Sequence, residues 1–496
     1  MDVEDTPWYR NLQDTQPFKL QLQLQNYDFS NVALFPWTLD SLDTLWDGEY
    51  ADRNANDWTQ WESVVAALYG AIAAVGNHKL HIKTHNYKYS TYRPNDFSCA
   101  WALMNPYQPL LLFNDGSVLH MLDPITRNFV GSLAGHGGYI TSIVVHPRLP
   151  HFFCTTARDF TTRIYDLTQR ARQRPHNPTW PPRISGPKAG AAAGIHASSP
   201  EGNGPGLCTI ILAGGRSGGH QAAVMCAAFH PTLPLVATGG MDRFVRIWKL
   251  PLHKEIPTAN NPSDRLDKPV FASSHIHQAR VLSVTWLVDD VLITHCASWL
   301  GHVNDDTRRP EFQEFPGTLT LWKWLGLRRF FPEGKEIQEN SRGCAADYQE
   351  SSSFKLISEY RIPIETSEVR ISHGPNQDPL VLLSTDTTTR IMNVTHFKPR
   401  IPQPFFIKDL EALHKKRADA RQREFELDTK KSKDKGLTID DYAEKAPEPP
   451  MRDVRTIEEG PRWTIYATHV VRASALMAGN RRLVAVGPQS ISIWTR

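Results

Sequence analysis

The sequence lacks the cysteine spacing of a disulfide framework or a zinc site. Its 496 residues include six cysteines, and none of them forms a C-x-x-C pair. Several lie inside apolar strand patterns, as Cys226 does in Val-Met-Cys-Ala-Ala-Phe, which favours buried reduced thiols over disulfides or metal ligands. We therefore expect a reducing compartment.

Long apolar runs are missing as well. No stretch of 18 apolar residues occurs, and the first residues, Met-Asp-Val-Glu-Asp-Thr-Pro, do not form a signal pattern. We therefore expect no membrane contact and a nuclear or cytosolic location. The charge balance is ordinary, with 22% charged residues and a formal net charge of +3, and by itself it indicates no class of partner.

Motifs for catalysis and cofactor binding are absent or out of context. No G-x-x-x-x-G-K-[ST] loop occurs, and the histidines at 78, 81, 85, 275 and 277 lack Cys, Asp or Glu partners at ligand spacing. Gly215 to Gly219 matches the G-x-S-x-G nucleophile elbow, but that elbow needs a following helix, and a strand pattern follows here. We expect a binding scaffold that is not an enzyme and needs no metal or cofactor.

What the sequence does contain is a repeated hairpin. From Val236 to Leu250, a small-residue apolar strand enters a Gly-Gly-Met-Asp turn with Asp242, and an alternating strand containing Trp248 follows. This pattern is typical of one blade of a WD-type β-propeller. Positions equivalent to Trp248 recur seven times along the chain. They are Lys83, Leu122, Tyr165, Trp248, Trp322, Met392 and Trp494.

The spacing of these positions predicts one ring with long insertions. Lys83, Leu122 and Tyr165 lie 39 and 43 residues apart, near the WD period of about 40–45 residues, and the later intervals are longer. We predict an all-β, seven-bladed WD-repeat β-propeller over residues 31–496, with disordered or partly helical insertions. The insertions are expected at about 38–62, 168–206, 251–275, 300–316, 325–355 and 396–460.

Residues 1–30 are predicted to form an N-terminal segment with a strand that closes the ring. The alternation from Phe18 to Gln25 puts Phe18, Leu20, Leu22 and Leu24 on one face of a strand. The last strand, at Trp494, needs a neighbour to cover its edge, and a first strand often supplies one in a ring of blades. The alternative is an additional edge strand of the first blade.

The insertion with the most charge lies between the sixth and seventh predicted blades. From Lys408 to Lys435 both signs of charge alternate, with apolar residues at near-helical spacing and a His-Lys-Lys-Arg cluster at 414–417. One interpretation is a solvated helix with internal ion pairs. The other is a nuclear-localisation signal or a surface that contacts nucleosomal DNA.

Several short segments resemble one family of propellers. In chain order they are Phe97-Ser98-Cys99-Ala100-Trp101, Asp123-Pro124-Ile125-Thr126, Gly135-His136-Gly137 and Gly240-Met241-Asp242. Together they are similar to the embryonic ectoderm development (EED) or extra sex combs family, most strongly from about Phe97 to Leu250.

The resemblance implies a non-catalytic scaffold subunit of a histone H3 lysine methyltransferase of the Polycomb repressive complex 2 type. Such subunits hold a helical segment of the SET-domain subunit on one face, assemble with the other subunits of the complex, act in the nucleus and repress transcription. The other face binds the histone H3 tail. Because the fold alone does not select a function, a general WD-repeat adaptor in a ubiquitin ligase, an RNA-processing machine or another chromatin complex remains the alternative.

The family also carries an aromatic cage for trimethyl-lysine, whose quaternary ammonium is attracted to ring faces. Phe97 matches one cage position, and Phe29, or less well Phe35, matches another. The family's adjacent Trp-Tyr pair aligns with Ser367 and Glu368, which supply no aromatic wall. Two hypotheses follow. Either recognition of trimethyl-lysine is lost, with Glu368 left to attract a less methylated lysine, or Tyr139 or Trp286 rebuilds the wall.

Overall fold

The computed structural model is described here for most of the chain. The described residues are 7–11, 13–25, 28–49, 55–76, 79–82, 85–88, 97–172, 200–214, 218–251, 264–303, 311–334, 345–374, 377–399, 454–457, 462–477, 481–488 and 490–496. The chain divides into one compact unit, Met1–Lys398 with Arg455–Arg496, and a second unit, Pro399–Val454. Across the described ranges, no helix combines the length and the apolar character needed to cross a bilayer.

The strands of the described residues pair into seven sheets of four or five strands and one separate two-stranded ribbon. The first strand, β1 (Lys19–Gln25), pairs within the last sheet. Sheets 1 to 3 follow in chain order. Sheet 1 contains β2 (Asn31–Leu34), β3 (Ile72–Gly76), β4 (Lys79–Ile82) and β5 (His85–Lys88). Sheet 2 contains β6 (Cys99–Asn105), β7 (Gln108–Asp115), β8 (Val118–Leu122) and β9 (Phe129–Leu133). Sheet 3 contains β10 (Ile140–Val145), β11 (Phe152–Ala157) and β12 (Thr162–Arg170), and after β13 (Gly202–Asn203), which joins sheet 2, also β14 (Pro205–Leu212).

Sheets 4 to 7 repeat this order. Sheet 4 contains β15 (Val224–Phe229), β16 (Leu235–Gly240) and β17 (Val245–Lys249), and after β18 (Asp264–Leu266), which joins sheet 3, also β19 (Phe271–Ser273). Sheet 5 contains β20 (Val281–Val288), β21 (Val291–Cys296), β24 (Thr318–Trp324) and β25 (Phe354–Arg361). The two-stranded ribbon, β22 (Trp299–Val303) and β23 (Glu311–Phe315), lies between β21 and β24 in the sequence. Sheet 6 contains β26 (Glu368–Gly374), β27 (Gln377–Ser384) and β28 (Thr388–Asn393), and after β29 (Arg455–Thr456), which joins sheet 5, also β30 (Arg462–Tyr466). Sheet 7 contains β31 (Ala473–Leu476), β32 (Arg482–Val486) and β33 (Ser490–Thr495).

The first strands of the seven sheets form a closed cycle within the larger unit. Each contacts the first strand of the next sheet, and β31 of sheet 7 contacts β2 of sheet 1. A separate hydrophobic cluster of buried residues lies between each neighbouring pair of sheets. The two-residue period of a strand explains this arrangement: in β11, Phe153 packs towards sheet 2 and the next residue, Cys154, towards sheet 4.

Strand β1 pairs with β33 along its whole length, in the antiparallel direction. It is the outermost strand of sheet 7, beside a strand from the other end of the sequence.

The residues before β1 also pack on the larger unit. Arg10 makes two hydrogen bonds to Asp378, at 2.6 and 2.8 Å, and Trp8 packs edge-to-face against Trp463. The repeat pattern did not predict that the residues before β1 pack on this unit.

The predicted insertions contain some regular structure. Residues 38–62 include two short 3-10 helices and the start of α1 (Ala55–Leu68), and residues 325–355 include α2 (Leu327–Phe330) and α3 (Ala345–Gln349). Residues 300–316 contain most of the ribbon. The central parts of the other predicted insertions, and the whole of Lys408 to Lys435, lie outside the described residues. Five of the cysteines are buried and form no disulfide, whereas Cys344 also lies outside the described ranges.

Hydrogen-bond chains inside sheets 3 and 4 fix the turns between their second and third strands. In sheet 4 the Trp248 indole donates to Thr238 Oγ1 at 2.9 Å, Thr238 bonds His220 Nε2 at 2.9 Å, and His220 Nδ1 bonds Asp242 at 3.0 Å. Sheet 3 has the same chain, in which His136 bonds Thr155 at 2.7 Å and Asp159 at 3.0 Å. We call the side of the unit marked by the Asp159 and Asp242 turns the turn face.

Candidate peptide-binding face

The predicted site residues all lie where the first strand of a sheet begins on the turn face. Phe29 lies two residues before β2, Phe97 two residues before β6, and Ser367 directly before β26. Because adjacent strands are antiparallel, the start of the first strand lies beside the end of the second, next to the turn. The resemblance therefore selects positions that share one face of the unit.

Glu368 is held in a polar cluster that joins sheets 6, 7 and 1. Its carboxylate lies 2.8 Å from Arg370 Nη2 and accepts the Ser474 backbone N–H at 3.3 Å. The Arg370 guanidinium also donates to Asn31 Oδ1 at 3.0 Å and to the Val32 carbonyl oxygen at 2.5 Å. The two charged groups compensate each other, so Glu368 presents less negative charge to a ligand than a free carboxylate would.

The same cluster reaches towards sheet 2, because its charges affect the Cys99 thiol. Burial raises the pKa of Cys99 to about 12, while the positive charge of Arg370 lowers it and the negative charge of Glu368 adds to the rise. At neutral pH the thiol is protonated and unreactive. Cys99 is therefore part of the packing beneath the face.

Ser367 serves the backbone around it. Its hydroxyl lies 3.0 Å from the Ser384 carbonyl oxygen, 3.0 Å from that of Val471 and 3.1 Å from that of Arg472, and it donates to these acceptors in turn. These contacts join sheet 6 to the segment that leads into sheet 7. The Ser367 side chain thus contacts the surrounding backbone, although the residue itself is exposed.

The two aromatic candidates offer little ring surface to a ligand. Phe97 is 6% exposed and belongs to the cluster between sheets 1 and 2, whereas Phe29 is fully buried in the cluster between sheets 7 and 1. Phe35 is also buried, at the far end of β2, against Trp37 and Trp101. A trimethyl-lysine cage needs open ring faces within about 6 Å of the cation. Phe29, Phe35 and Phe97 therefore expose little ring surface for such a contact.

Tyr139 and Trp286 differ in their position relative to the turn face. Tyr139 lies directly before β10 on that face and is half-buried, but the Arg158 guanidinium lies 5.8 Å from its ring centroid and covers the ring with a cation. Trp286 is 4% exposed near the opposite end of β20, where its indole donates to the Ala228 carbonyl oxygen at 3.2 Å. Trp286 is therefore not placed to replace a wall on the turn face.

The sequence interpretation missed Arg370, Asn31 and Ser474, which organise this part of the face. A signal was present, because Glu368 and Arg370 alternate with Val369 and Ile371 in β26 and so share one side of the strand. The described residues contain no group of three or more His, Cys, Asp or Glu side chains arranged to hold a metal ion. What the face offers chemically is hydrogen bonding and charge, supported on packed strands.

A family model for the WD domain, G-beta repeat, matches residues 127–166 and 214–249. These ranges contain the Asp159 and Asp242 turns and the hydrogen-bond chains behind them. The predicted all-β WD-repeat propeller class is therefore confirmed.

Two curated relatives are Polycomb proteins. The chain is 24% identical over 228 residues to the Polycomb group protein FIE1 of Zea mays, covering 43% of this chain and 41% of the maize protein. It is 26% identical over 212 residues to the Polycomb protein EED of Chaetomium thermophilum, covering 41% of this chain and 30% of that protein. The matched part of this chain thus spans less than half of each relative. The resemblance to the EED family is confirmed.

Solved structures with a similar fold come from Polycomb complexes. A chain of the humanized mutant Chaetomium thermophilum Polycomb Repressive Complex 2 bound to the inhibitor GSK126 matches with a TM-score of 0.58 and 14% identity, covering 97% of this chain and 98% of that one. A chain of ctPRC2 in complex with H3K27me3 and H3K27M matches with a TM-score of 0.54, 14% identity and the same coverage. At this identity the matches establish the fold.

Proposed function

We propose that this protein is a non-catalytic scaffold subunit of a Polycomb repressive complex 2-type histone H3 methyltransferase. The observation that carries the proposal is the confirmed resemblance to the EED family, in a chain whose fold matches subunits of such complexes over 97% of its length. The proposed partners are the SET-domain subunit and the other subunits of the complex. The proposed location is the nucleus, on chromatin, and the proposed outcome is transcriptional repression.

The proposed scaffold is a seven-bladed ring in which each of the seven sheets is one blade. The closed cycle of contacts between first strands and the hydrophobic cluster between each pair of sheets support this count. Within it, residues 1–30 supply the strand that completes the last blade, which is supported by the pairing of β1 with β33. Such a ring has two faces and few open strand edges, which suits a platform that holds several partners at once.

The scaffold role is tested by purifying the protein with its partners. The full chain is purified with an affinity tag from its native cells, and its stable partners are identified. Recovery of a SET-domain methyltransferase, whose activity on histone H3 falls when this chain is depleted and returns when it is restored, supports the proposal. Recovery of cullin-linker or splicing subunits in place of the methyltransferase overturns it.

We also propose that the turn face binds the histone H3 tail without selecting trimethyl-lysine. Phe97 and Phe29 are buried, Arg158 covers Tyr139, and Ser367 and Glu368 stand where the family has aromatic residues. A cation–π contact contributes about 0.5–2 kcal/mol, so the absence of a cage removes most of the preference for the methylated form.

The prediction is that trimethylated and unmodified H3 tail peptides bind the full chain with affinities within about threefold of each other. Isothermal titration calorimetry measures both. The control variant is Phe97→Leu, which keeps the packing volume and removes the aromatic ring. Trimethyl-lysine binding at least tenfold tighter than the unmodified peptide, and lost in Phe97→Leu, would contradict the proposal and return Phe97 to a cage.

The segment Lys408 to Lys435 is proposed to contact nucleosomal DNA, because of its basic cluster. Neutralised phosphates release counterions, so deleting the segment should weaken nucleosome binding and reduce its salt dependence. A salt slope equal to that of the intact chain would count against this role.

A further inference from the structure

Two neighbouring turns on the turn face carry exposed arginine and apolar side chains. The sheet 3 turn is Arg158-Asp159-Phe160-Thr161, and the sheet 4 turn is Met241-Asp242-Arg243-Phe244. In each turn the aspartate side chain points inwards, with 8% and 9% of its surface exposed, and bonds the histidine behind it. The residues around the aspartates face solvent: Phe160 is 47% exposed, Met241 is 48% exposed, and Arg158 and Arg243 are exposed.

Backbone hydrogen bonds hold each of the two turns on its own sheet. The Arg158 N–H donates to the Tyr139 carbonyl oxygen at 2.9 Å, and the Met241 N–H donates to that of Ala223 at 2.8 Å. Close to these acceptors the two sheets are joined, because the Thr141 hydroxyl donates to the Val224 carbonyl oxygen. The turns therefore form one surface across the boundary between sheets 3 and 4.

This surface is positively charged on its outer side. Within the described residues, the loops and turns of sheets 3 and 4 on the turn face contain three acidic residues. Asp159 and Asp242 are buried by the contacts described above, and Asp267 is half-buried and is followed by the exposed Lys268. Arg280 extends the positive charge towards sheet 5, where it is exposed directly before β20. At the rim of this surface, the Glu350 carboxylate accepts hydrogen bonds from the Ser274 backbone N–H at 2.8 Å and from the Ser274 hydroxyl at 3.1 Å.

The residue types match the centre of a protein interface. Arginine, methionine and aromatic residues are enriched there, while lysine and acidic residues are depleted. We propose that this surface, formed by Arg158, Phe160, Met241, Arg243 and Arg280, is a docking site for an acidic protein segment with apolar anchors. This is a partner beyond the proposed methyltransferase and histone tail. The arginines would pair with carboxylates, and Phe160 and Met241 would contact the apolar side chains.

Single-stranded nucleic acid is the competing ligand, since it also combines negative charge with flat apolar groups. It needs open aromatic rings on which bases stack. Two of the three rings near this surface are already covered by guanidinium groups: Arg158 lies 5.8 Å from the Tyr139 ring centroid and Arg246 lies 4.2 Å from that of Phe244. With Phe160 as the one ring of the three left open, the geometry favours a protein segment.

The backbone conformation of Phe160 supports a role for this residue in binding a partner. Its φ is +70°, a left-handed conformation that strains a bulky side chain, and the equivalent residue of sheet 4, Arg243, has a φ of +68°. Glycine or asparagine would adopt this conformation at lower cost, and an exposed phenylalanine stabilises no core. A residue that strains its turn while facing solvent is expected where a partner uses it.

The experiment selects binders of the full chain from a phage-displayed library of random 16-residue peptides. We expect enrichment of peptides rich in Asp and Glu with interspersed Leu or Phe. Their binding should fall at least tenfold in the double variant Arg158→Gln/Arg243→Gln. The matched control is Arg127→Gln, because Arg127 is also exposed and has a φ of +64° but belongs to the turn before β9, away from the turn face. The affinity of the Arg127→Gln variant for the selected peptides should not change.

Three results would overturn the proposal. The first is that the selected peptides carry no excess of acidic residues. The second is that Arg127→Gln and the double variant lose affinity equally. The third is that an oligo-uridine or oligo-deoxythymidine 16-mer binds more tightly than every selected peptide and loses this binding in the double variant. The third result would assign the surface to RNA or single-stranded DNA, according to which oligonucleotide binds more tightly.

A second variant separates binding from structure. Phe160→Gly should raise the thermal unfolding midpoint, because glycine relieves the strained backbone, and should weaken the selected peptides by about tenfold. A purely structural role for Phe160 predicts the opposite change in stability. A lower unfolding midpoint, or unchanged peptide affinity, would exclude Phe160 from the docking site.

Discussion

A single buried carboxylate fixes the sheet 4 turn, and its surroundings explain how. Asp242 accepts hydrogen bonds from His220, from the Gln221 backbone N–H at 3.1 Å and from Arg246 at 2.8 Å. Burial alone would raise the pKa of Asp242, but the contacts with His220 and Arg246 hold that pKa far below its usual range. The carboxylate is therefore ionised at neutral pH and compensates the buried Arg246 guanidinium.

The residue-scale prediction concerns this pair. Asp242→Ala leaves the Arg246 guanidinium buried without its anionic partner, which should lower the free energy of unfolding by about 3–5 kcal/mol. Urea denaturation followed by circular dichroism measures the change. The control is Asp386→Ala, an exposed aspartate in the corresponding turn of sheet 6, which should change stability by less than about 0.5 kcal/mol. Equal effects of the two substitutions would contradict the argument.

Sequence reasoning found this residue because its neighbours are local. Asp242 and Trp248 lie six positions apart in one hairpin, so a repeat pattern reveals both. The Glu368–Arg370 cluster was not predicted in the same way, since its partners Asn31, Val32 and Ser474 come from distant parts of the chain. The burial of Phe29 and Phe97 could not be predicted from the repeat pattern either. The sequence shows an aromatic residue at the start of a strand, but it does not show whether a neighbouring sheet covers the ring.

At the scale of elements, outer strand edges are repeatedly covered by other parts of the same chain. Strand β13 adds to sheet 2, β18 to sheet 3 and β29 to sheet 5, and each lies inside one of the predicted insertions, near its end. Strand β1 does the same for sheet 7. An open strand edge is a template for aggregation, so these short additions protect the sheets. The alternation in β1 predicted a strand, whereas the two- and three-residue strands carry no such signal.

The element-scale prediction compares two leucines on β1. Leu24 is half-buried against the cluster between sheets 7 and 1, whereas Leu20 is 51% exposed. Leu24→Asp places a charge against apolar neighbours and should lower the free energy of unfolding by about 1–3 kcal/mol. Leu20→Asp should change it by less than about 0.5 kcal/mol. Thermal and urea unfolding of both variants test this, and a larger effect at Leu20 would mean that β1 packs differently.

At the scale of the whole molecule, buried histidines link stability to pH. Burial lowers the pKa of His146 and of His295 to about 3, with nearby positive charges adding to the effect at His146. Burial also lowers the pKa of His136 and His220. Histidine in the unfolded chain has a pKa of about 6.5, so below that pH the unfolded state binds protons that the folded state does not. Acid therefore favours unfolding.

The corresponding prediction is a loss of stability as the pH falls from about 6.5 towards 3. Each fully buried histidine should contribute up to about 1.4 kcal/mol per pH unit in that range. Urea unfolding at pH 7.5, 6.0 and 5.0 gives the slope. His295→Leu should reduce the slope by about one proton. A stability that does not vary between pH 7.5 and 5.0 would refute the prediction.

The pairing of β1 with β33 also sets an order of events during synthesis. More than 460 residues separate the end of β1 from the start of β33, so β1 leaves the ribosome long before its partner is made. At about 5–20 residues per second, β1 waits roughly half a minute to a minute and a half with its backbone edge unpaired and Leu24 uncovered. For that time β1 has no partner, and a ribosome that stalls late in the message releases a product in which β1 stays unpaired.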